Sequence, residues 1–147
     1  FRISWVFSEY GNNFLINMLK LGSSNKKLNI VSDQQGCPTY AQDFAKIINI
    51  VLVKIYNKKI HSDLFHFCGD QQCSWYDLAS YIFEEAKILG FKTPEYLNSI
   101  STEAYPTKAA RPLYSVLECK KIKKILGIDL SNWRSGIKDA LLNIKFK

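Results

Sequence analysis

Three features of the 147-residue sequence predict a mixed α/β fold of short strands and longer helices. Apolar segments of strand length alternate with segments of helix length. The helical segments carry their aliphatic and aromatic side chains at steps of three and four residues, which makes one apolar stripe on each. The composition, 47% apolar and 22% charged with seven Gly and four Pro, is that of a globular domain. A chain of this size buries roughly two thirds of its unfolded surface, enough for one good core.

Phe1 to Ser8, FRISWVFS, is apolar and aromatic and reads as a strand. Its apolar opening, with Met18 the sole methionine, is expected of a chain that begins inside a buried strand and forms the C-terminal portion of a longer polypeptide. Gly11 to Leu21 places Phe14, Leu15, Met18 and Leu19 at helical spacing, with Asn12 and Asn13 as candidate caps and Gly22 as the stop. Leu28 to Val31 is a second strand. The segment Asp33 to Thr39, DQQGCPT, reads as a turn, and Thr39 with Gln42 as a capping box for the best-patterned helix. Its stripe of Phe44, Ile47, Ile48, Val51, Leu52 and Ile55 calls for a sheet or helix to pack against.

Leu64 to Cys68 is a strand ended by Gly69. Ser74 and Asp77 cap a helix that carries Leu78, Ala79, Ile82, Phe83, Ala86 and Leu89 and stops at Gly90. Phe91 to Leu117 contains Pro94, Pro106 and Pro112 and reads as one long loop, a feature that compact domains keep for function. One further helix ends at Gly127 and another runs from about Asn132 through Ile137, Ala140, Leu141 and Ile144.

The formal charge is +7, from lysines spread along the chain and only three arginines. A nucleic-acid reader concentrates its basic residues on one element with arginine prominent, so no nucleic-acid partner is expected. Lys120, Lys121, Lys123 and Lys124 straddle Ile122 and Ile125 and read as a solvated helix face. No apolar run approaches the ~20 residues of a membrane span and no signal peptide opens the chain, which predicts a cytoplasmic protein without a membrane partner. Cys37, Cys68, Cys73 and Cys119 lack CxxC spacing, and His61 and His66 fit no metal-binding signature, so no metal is expected and the thiols read as buried and free.

No GxGxxG or GxxxxGK[ST] turn is present, no tyrosine is followed four positions later by lysine, and no GxSxG elbow occurs. No catalytic residue is expected within the chain. The polar and aromatic loop residues that remain are Trp5, Asn12, Asn13, Gln34, Gln35, Trp75, Tyr105 and Arg111. Ring faces beside side-chain amides suit a sugar or a base. Trp75, following a helix cap, reads as core. Arg111, between Tyr105-Pro106 and Pro112, has the forked donors to grip a diphosphate.

RISWVF, YGNNF, DQQGCPT, SWYDLA and YPTKAARPLYS (Tyr105 to Ser115) resemble, in order and spacing, the C-terminal half of the dTDP-4-dehydrorhamnose reductase family, across nearly the whole chain. The resemblance implies the C-terminal part of an extended short-chain dehydrogenase/reductase fold, NAD(P)-binding and Rossmann-like. Residues 1–147 would form the substrate-binding portion, with the N-terminal Rossmann portion absent. NADPH or NADH, most of its binding residues and the catalytic Tyr and Lys belong to that missing portion, which is the implied protein partner. The implied activity is reduction of dTDP-4-dehydro-L-rhamnose to dTDP-L-rhamnose, in the synthesis of dTDP-rhamnose and cell-surface polysaccharide. The implied substrate-binding residues are Trp5, Gln34, Arg111, Asn13 and Tyr105, with a homo-oligomer as the expected assembly. The alternative is a non-catalytic, reductase-like subunit similar to the regulatory subunit of methionine adenosyltransferase.

Overall fold

A computed structural model describes residues 1–57 and 63–146; His61 lies outside these. Among the described residues, eight short strands and five helices follow in the order β1 (Arg2–Ile3), β2 (Val6–Phe7), α1 (Phe14–Ser24), β3 (Lys27–Val31), β4 (Gln35–Gly36), β5 (Thr39–Tyr40), α2 (Ala41–Tyr56), β6 (His66–Phe67), β7 (Cys73–Ser74), α3 (Trp75–Ile88), β8 (Tyr96–Ile100), α4 (Lys120–Leu126) and α5 (Trp133–Lys145). The strands pair two by two. β1–β6, β2–β5 and β3–β8 are parallel, and β4–β7 is antiparallel.

Residues 1–8 do not make one strand. Arg2–Ile3 pairs with β6 and Val6–Phe7 with β5, and the chain turns between them at Trp5. Of the apolar residues in this expected buried strand, Phe7 is buried, whereas Phe1, Ile3 and Val6 are exposed; β1 pairs with β6, and no other described strand joins it. Residues 91–117 are not all loop. Tyr96 to Ile100 pairs with β3 in register from Lys27↔Tyr96 to Val31↔Ile100. This strand is half-exposed and includes Asn98 and Ser99, so it lacks the apolar alternation that would reveal it.

Helix ends follow local chemistry. Asn13 caps α1, its Oδ1 accepting from the Ile16 N–H at 3.3 Å. Gly22 does not stop this helix, which runs on to Ser24. It is instead a point of close approach, where a Cβ would fall 2.6 Å from Cε1 of Phe83. Thr39 makes no capping box with Gln42: it is buried in β5 and donates its hydroxyl to the Ser4 carbonyl, and α2 starts without a side-chain cap. The Ser74–Asp77 capping box on α3 forms as expected, and Asn132 caps α5, its side chain accepting from the Ser135 N–H. Gly90 and Gly127 adopt left-handed φ of +81° and +66° where α3 and α4 end.

Two cores result. In the larger, α1 and α3 pack against β3 and α5 packs against α3 and β5, with Leu15, Met18, Ile82, Trp133 and Ile137 at its centre. The smaller joins α2, β6 and α4 through Ile47, Val51, Phe67 and Ile122, with Cys37, Cys68 and Cys119 among them. All four thiols are buried and free, and the Cys68 and Cys119 sulfurs lie 3.6 Å apart. The α2 stripe is only partly covered. Ile47 and Val51 are buried, whereas Leu52 and Ile55 are exposed, together with Ile50, Val53 and Tyr56. On α4, Ile122 and Leu126 face inward and Ile125 is exposed, while Lys120, Lys121 and Lys123 pair with Glu118, Asp63 and Asp129. No described helix is long and apolar enough to cross a membrane.

Candidate functional site

A cavity of about 1130 Å³ opens between the end of β1, α1, β3 and the loop after β8. Four of the five residues expected to bind substrate line it: Trp5, Gln34, Tyr105 and Arg111. Asn13 does not. Its amide Nδ2 donates to the carbonyls of Ser8 and Tyr10 and its Oδ1 caps α1, so its side chain fixes the helix that forms one wall. Trp75, expected in the core, packs against the larger core and also lines the cavity.

The aromatic wall depends on an unusual backbone. Trp5 has φ of +48°, the only positive value at a non-glycine residue among the described residues, in a region that costs a bulky side chain free energy. Contacts on both sides hold it there. The Trp5 carbonyl accepts from Thr39 N–H, the Ser4 carbonyl accepts the Thr39 hydroxyl, and the Ser4 hydroxyl donates to the Cys37 carbonyl. The Trp5 ring then stacks on Trp75, centroids 3.5 Å apart and planes 9° from parallel.

Gln34 is buried and satisfied at both ends of its amide. Its Oε1 accepts from the Trp75 indole N–H at 3.2 Å, and its Nε2 donates to the Thr102 hydroxyl oxygen at 3.1 Å. The neighbours of Gln34 hold both ends of the loop that carries Tyr105 and Arg111. At the start, Thr102 is bound to the Asp33 carboxylate. At the end, the Gln35 N–H donates to the Leu113 carbonyl at 2.7 Å, and the Gln35 carbonyl accepts from Ser115 N–H at 2.8 Å. The DQQ tripeptide therefore sets where the loop enters and leaves. Sequence reasoning singled out Gln34 and Gln35 for their side chains and missed Asp33 and the backbone role of Gln35. The aspartate heading a turn motif was the available signal.

The cavity's charge is one-sided. Lys20, Lys27 and Arg111 line it; among the described residues no Asp or Glu does, and none of the three makes an ion pair. Lys20 and Lys27 were not foreseen, since in the sequence they are two lysines among many. Three cations beside an apolar surface equip it to hold an anion.

Residues 1–146 match the family model described as RmlD substrate binding domain. A dTDP-4-dehydrorhamnose reductase of Aggregatibacter actinomycetemcomitans is 40% identical over 142 residues, covering 94% of this chain and 48% of that protein. The crystal structure of the Bacillus anthracis dTDP-4-dehydrorhamnose reductase in complex with NADP superposes with a TM-score of 0.83 at 29% identity, over 97% of this chain and 47% of that one. An orthologue from Clostridium acetobutylicum gives 0.82 at 32% identity, over 98% and 48%. The chain thus spans about half the length of the relatives it matches.

Proposed function

The chain belongs to the RmlD substrate binding domain family, and from this premise we propose that it is the portion of a dTDP-4-dehydrorhamnose reductase that holds the nucleotide sugar. The fold is the corresponding part of an extended short-chain dehydrogenase/reductase. The whole protein, in this reading, reduces dTDP-4-dehydro-L-rhamnose to dTDP-L-rhamnose in the cytoplasm. The observation that carries the reading is the cavity lined by three cations that, among the described residues, have no acidic neighbour in the lining and no ion-pair partner. A diphosphate needs such cations, and a thymine and a 6-deoxysugar need the apolar wall and amides beside them. Arg111, with its forked donors, takes the diphosphate; Trp5, Gln34 and Tyr105 border the nucleotide sugar, and Asn13 acts through the helix it caps.

The glycines do not form a dinucleotide-binding turn. Gly22, Gly36, Gly69 and Gly136 are close-packing positions and Gly11, Gly90 and Gly127 are isolated left-handed turns, so no glycine-rich strand–turn–helix is formed. NADPH or NADH, which supplies the hydride for C4, is assigned to polypeptide outside these residues. A place for that polypeptide is at hand: the open edge of β1 and the exposed Leu52, Val53, Ile55 and Tyr56 of α2 suit the strands and helices of a Rossmann portion. No observation favours the regulatory-subunit alternative.

The test is NADPH oxidation by the full-length protein with dTDP-4-dehydro-L-rhamnose, alongside calorimetric binding of dTDP. Turnover that requires the keto sugar, with dTDP competing, is the expected result. Absence of both turnover and dTDP binding overturns the reading.

A further inference from the structure

Trp5 lines the cavity, yet neither face of its indole is open. Trp75 covers one face at 3.5 Å. On Gly36, a Cβ would fall nearest Cε2 of Trp5, with Cζ2 at 2.6 Å and Nε1 at 2.7 Å. An approach to Cε2 in the ring plane would bring one of its bonded neighbours closer than Cε2 itself, so the Gly36 backbone lies over the ring rather than beside it. It cannot share the side with Trp75, whose ring at stacking distance would then be the nearer neighbour of that Cβ. The indole is therefore a filling between Trp75 and the Gly36 backbone, and its edge is what reaches the cavity.

The donors agree with this placement. The indole N–H of Trp75 donates to Gln34 and that of Trp133 to the Gln71 carbonyl. The Trp5 N–H has no acceptor among the described residues and is not among the buried unsatisfied groups, so it is open to solvent or ligand.

We propose that Trp75 and the side-chain-free Gly36 are positioning residues that clamp Trp5 edge-on to the cavity, so that a bound sugar meets the indole edge and its N–H rather than a stacking face. The inference rests on the nucleotide-sugar reading for its ligand, but the clamp itself is a property of the protein. Specificity follows from it. A stacking platform accepts any flat apolar face, whereas a fixed N–H donor selects an oxygen at one position of the sugar.

The experiment uses the full-length protein labelled with ¹⁵N-tryptophan. Variants are Trp75→Leu, Trp75→Phe and Gly36→Ala, with dTDP and dTDP-L-rhamnose as probes. Trp75→Leu removes the ring current over Trp5 and is expected to move its indole N–H resonance, whereas Trp75→Phe keeps an aromatic face and moves it less. Gly36→Ala displaces the ring from the opposite side. In Trp75→Leu and Gly36→Ala the dTDP-L-rhamnose affinity falls about tenfold relative to that for dTDP, and Trp75→Phe restores most of the ratio. An unmoved Trp5 resonance in folded Trp75→Leu and Gly36→Ala overturns the clamp. An unchanged affinity ratio with a moved resonance overturns its role in sugar selection. Should the wild type bind neither probe, the nucleotide-sugar reading fails and edge-on sugar selection fails with it, while the resonances still decide whether the clamp exists.

Discussion

Thr102 donates both its backbone N–H and its hydroxyl to the carboxylate of Asp33, 69 positions earlier in the chain. The same hydroxyl oxygen accepts from Gln34, so one threonine joins the turn motif, the cavity wall and the start of the Arg111 loop. Asp33→Asn is expected to loosen that loop and weaken dTDP binding about threefold to tenfold by calorimetry. The Thr102 bonds hold the Asp33 carboxyl below its ordinary value of 3.8. A depressed carboxyl favours the ordered loop above the ordinary value, and that advantage is lost as pH falls through the lower, folded-state value. The affinity gap between wild type and Asp33→Asn should therefore narrow as the pH is lowered below 3.8.

Arg111 is an exposed cation held at the cavity by a loop pinned at both ends. Arg111→Ala should weaken dTDP binding about tenfold or more, with Arg111→Lys recovering charge but not the bidentate grip. Because the site is open to solvent, wild-type affinity should fall with added salt more steeply than that of the alanine variant. Equal salt slopes would count against a phosphate contact.

Gly22 sits inside α1, where alanine is ordinarily the better helix former by ~1 kcal/mol. Here the sign reverses. An added Cβ meets the buried Phe83 ring at 2.6 Å and the Pro94 ring at 3.1 Å, so Gly22→Ala should destabilise by about 1–3 kcal/mol in a urea titration. Adding Phe83→Leu, which removes the obstructing ring atoms, should recover part of the Gly22→Ala loss.

The four buried thiols divide by environment. Burial pushes Cys73 and Cys119 up to about 12, and the hydrogen bond shared with Cys37 drives Cys68 up and Cys37 down. No thiol should react with Ellman's reagent at pH 8 in the native state on the time scale of mixing, and all four should react in denaturant. Cys37 should lead any slow native reaction. Raised thiols favour the folded state below their ordinary value of 9.0, and this contribution is lost as pH climbs from there toward about 12. Thermal stability is expected to decline across that alkaline range, and less so in Cys73→Ala.

Helix caps and apolar periodicity were legible in the chain because both are local. Asn13, Ser74, Gly90 and Gly127 do what their neighbours in sequence suggest. Gly22 and Thr39 were misread for the opposite reason. A glycine near a helix end and a threonine before a helix have local meanings, and both were overridden by distant partners, Phe83 and Ser4. The cavity was half legible. Trp5, Gln34, Tyr105 and Arg111 stand out by residue type in loops, but Lys20 and Lys27 acquire their role only from the surface they face. The residues that hold the loop, Asp33 and Thr102, act across a separation that no periodicity records.

The parallel ladders have a kinetic meaning. Even the shortest-range of these, Val6 with Thr39, closes over thirty residues, and β3 meets β8 only after α1, α2 and α3 have been laid down between and around them. Loop-closure entropy is met before any ladder hydrogen bond returns it, so the helices are expected to form early and the strand pairs late. On a ribosome, β3 is synthesised some seventy residues before its partner, and its Leu28, Ile30 and Val31 are a surface for chaperones until β8 emerges.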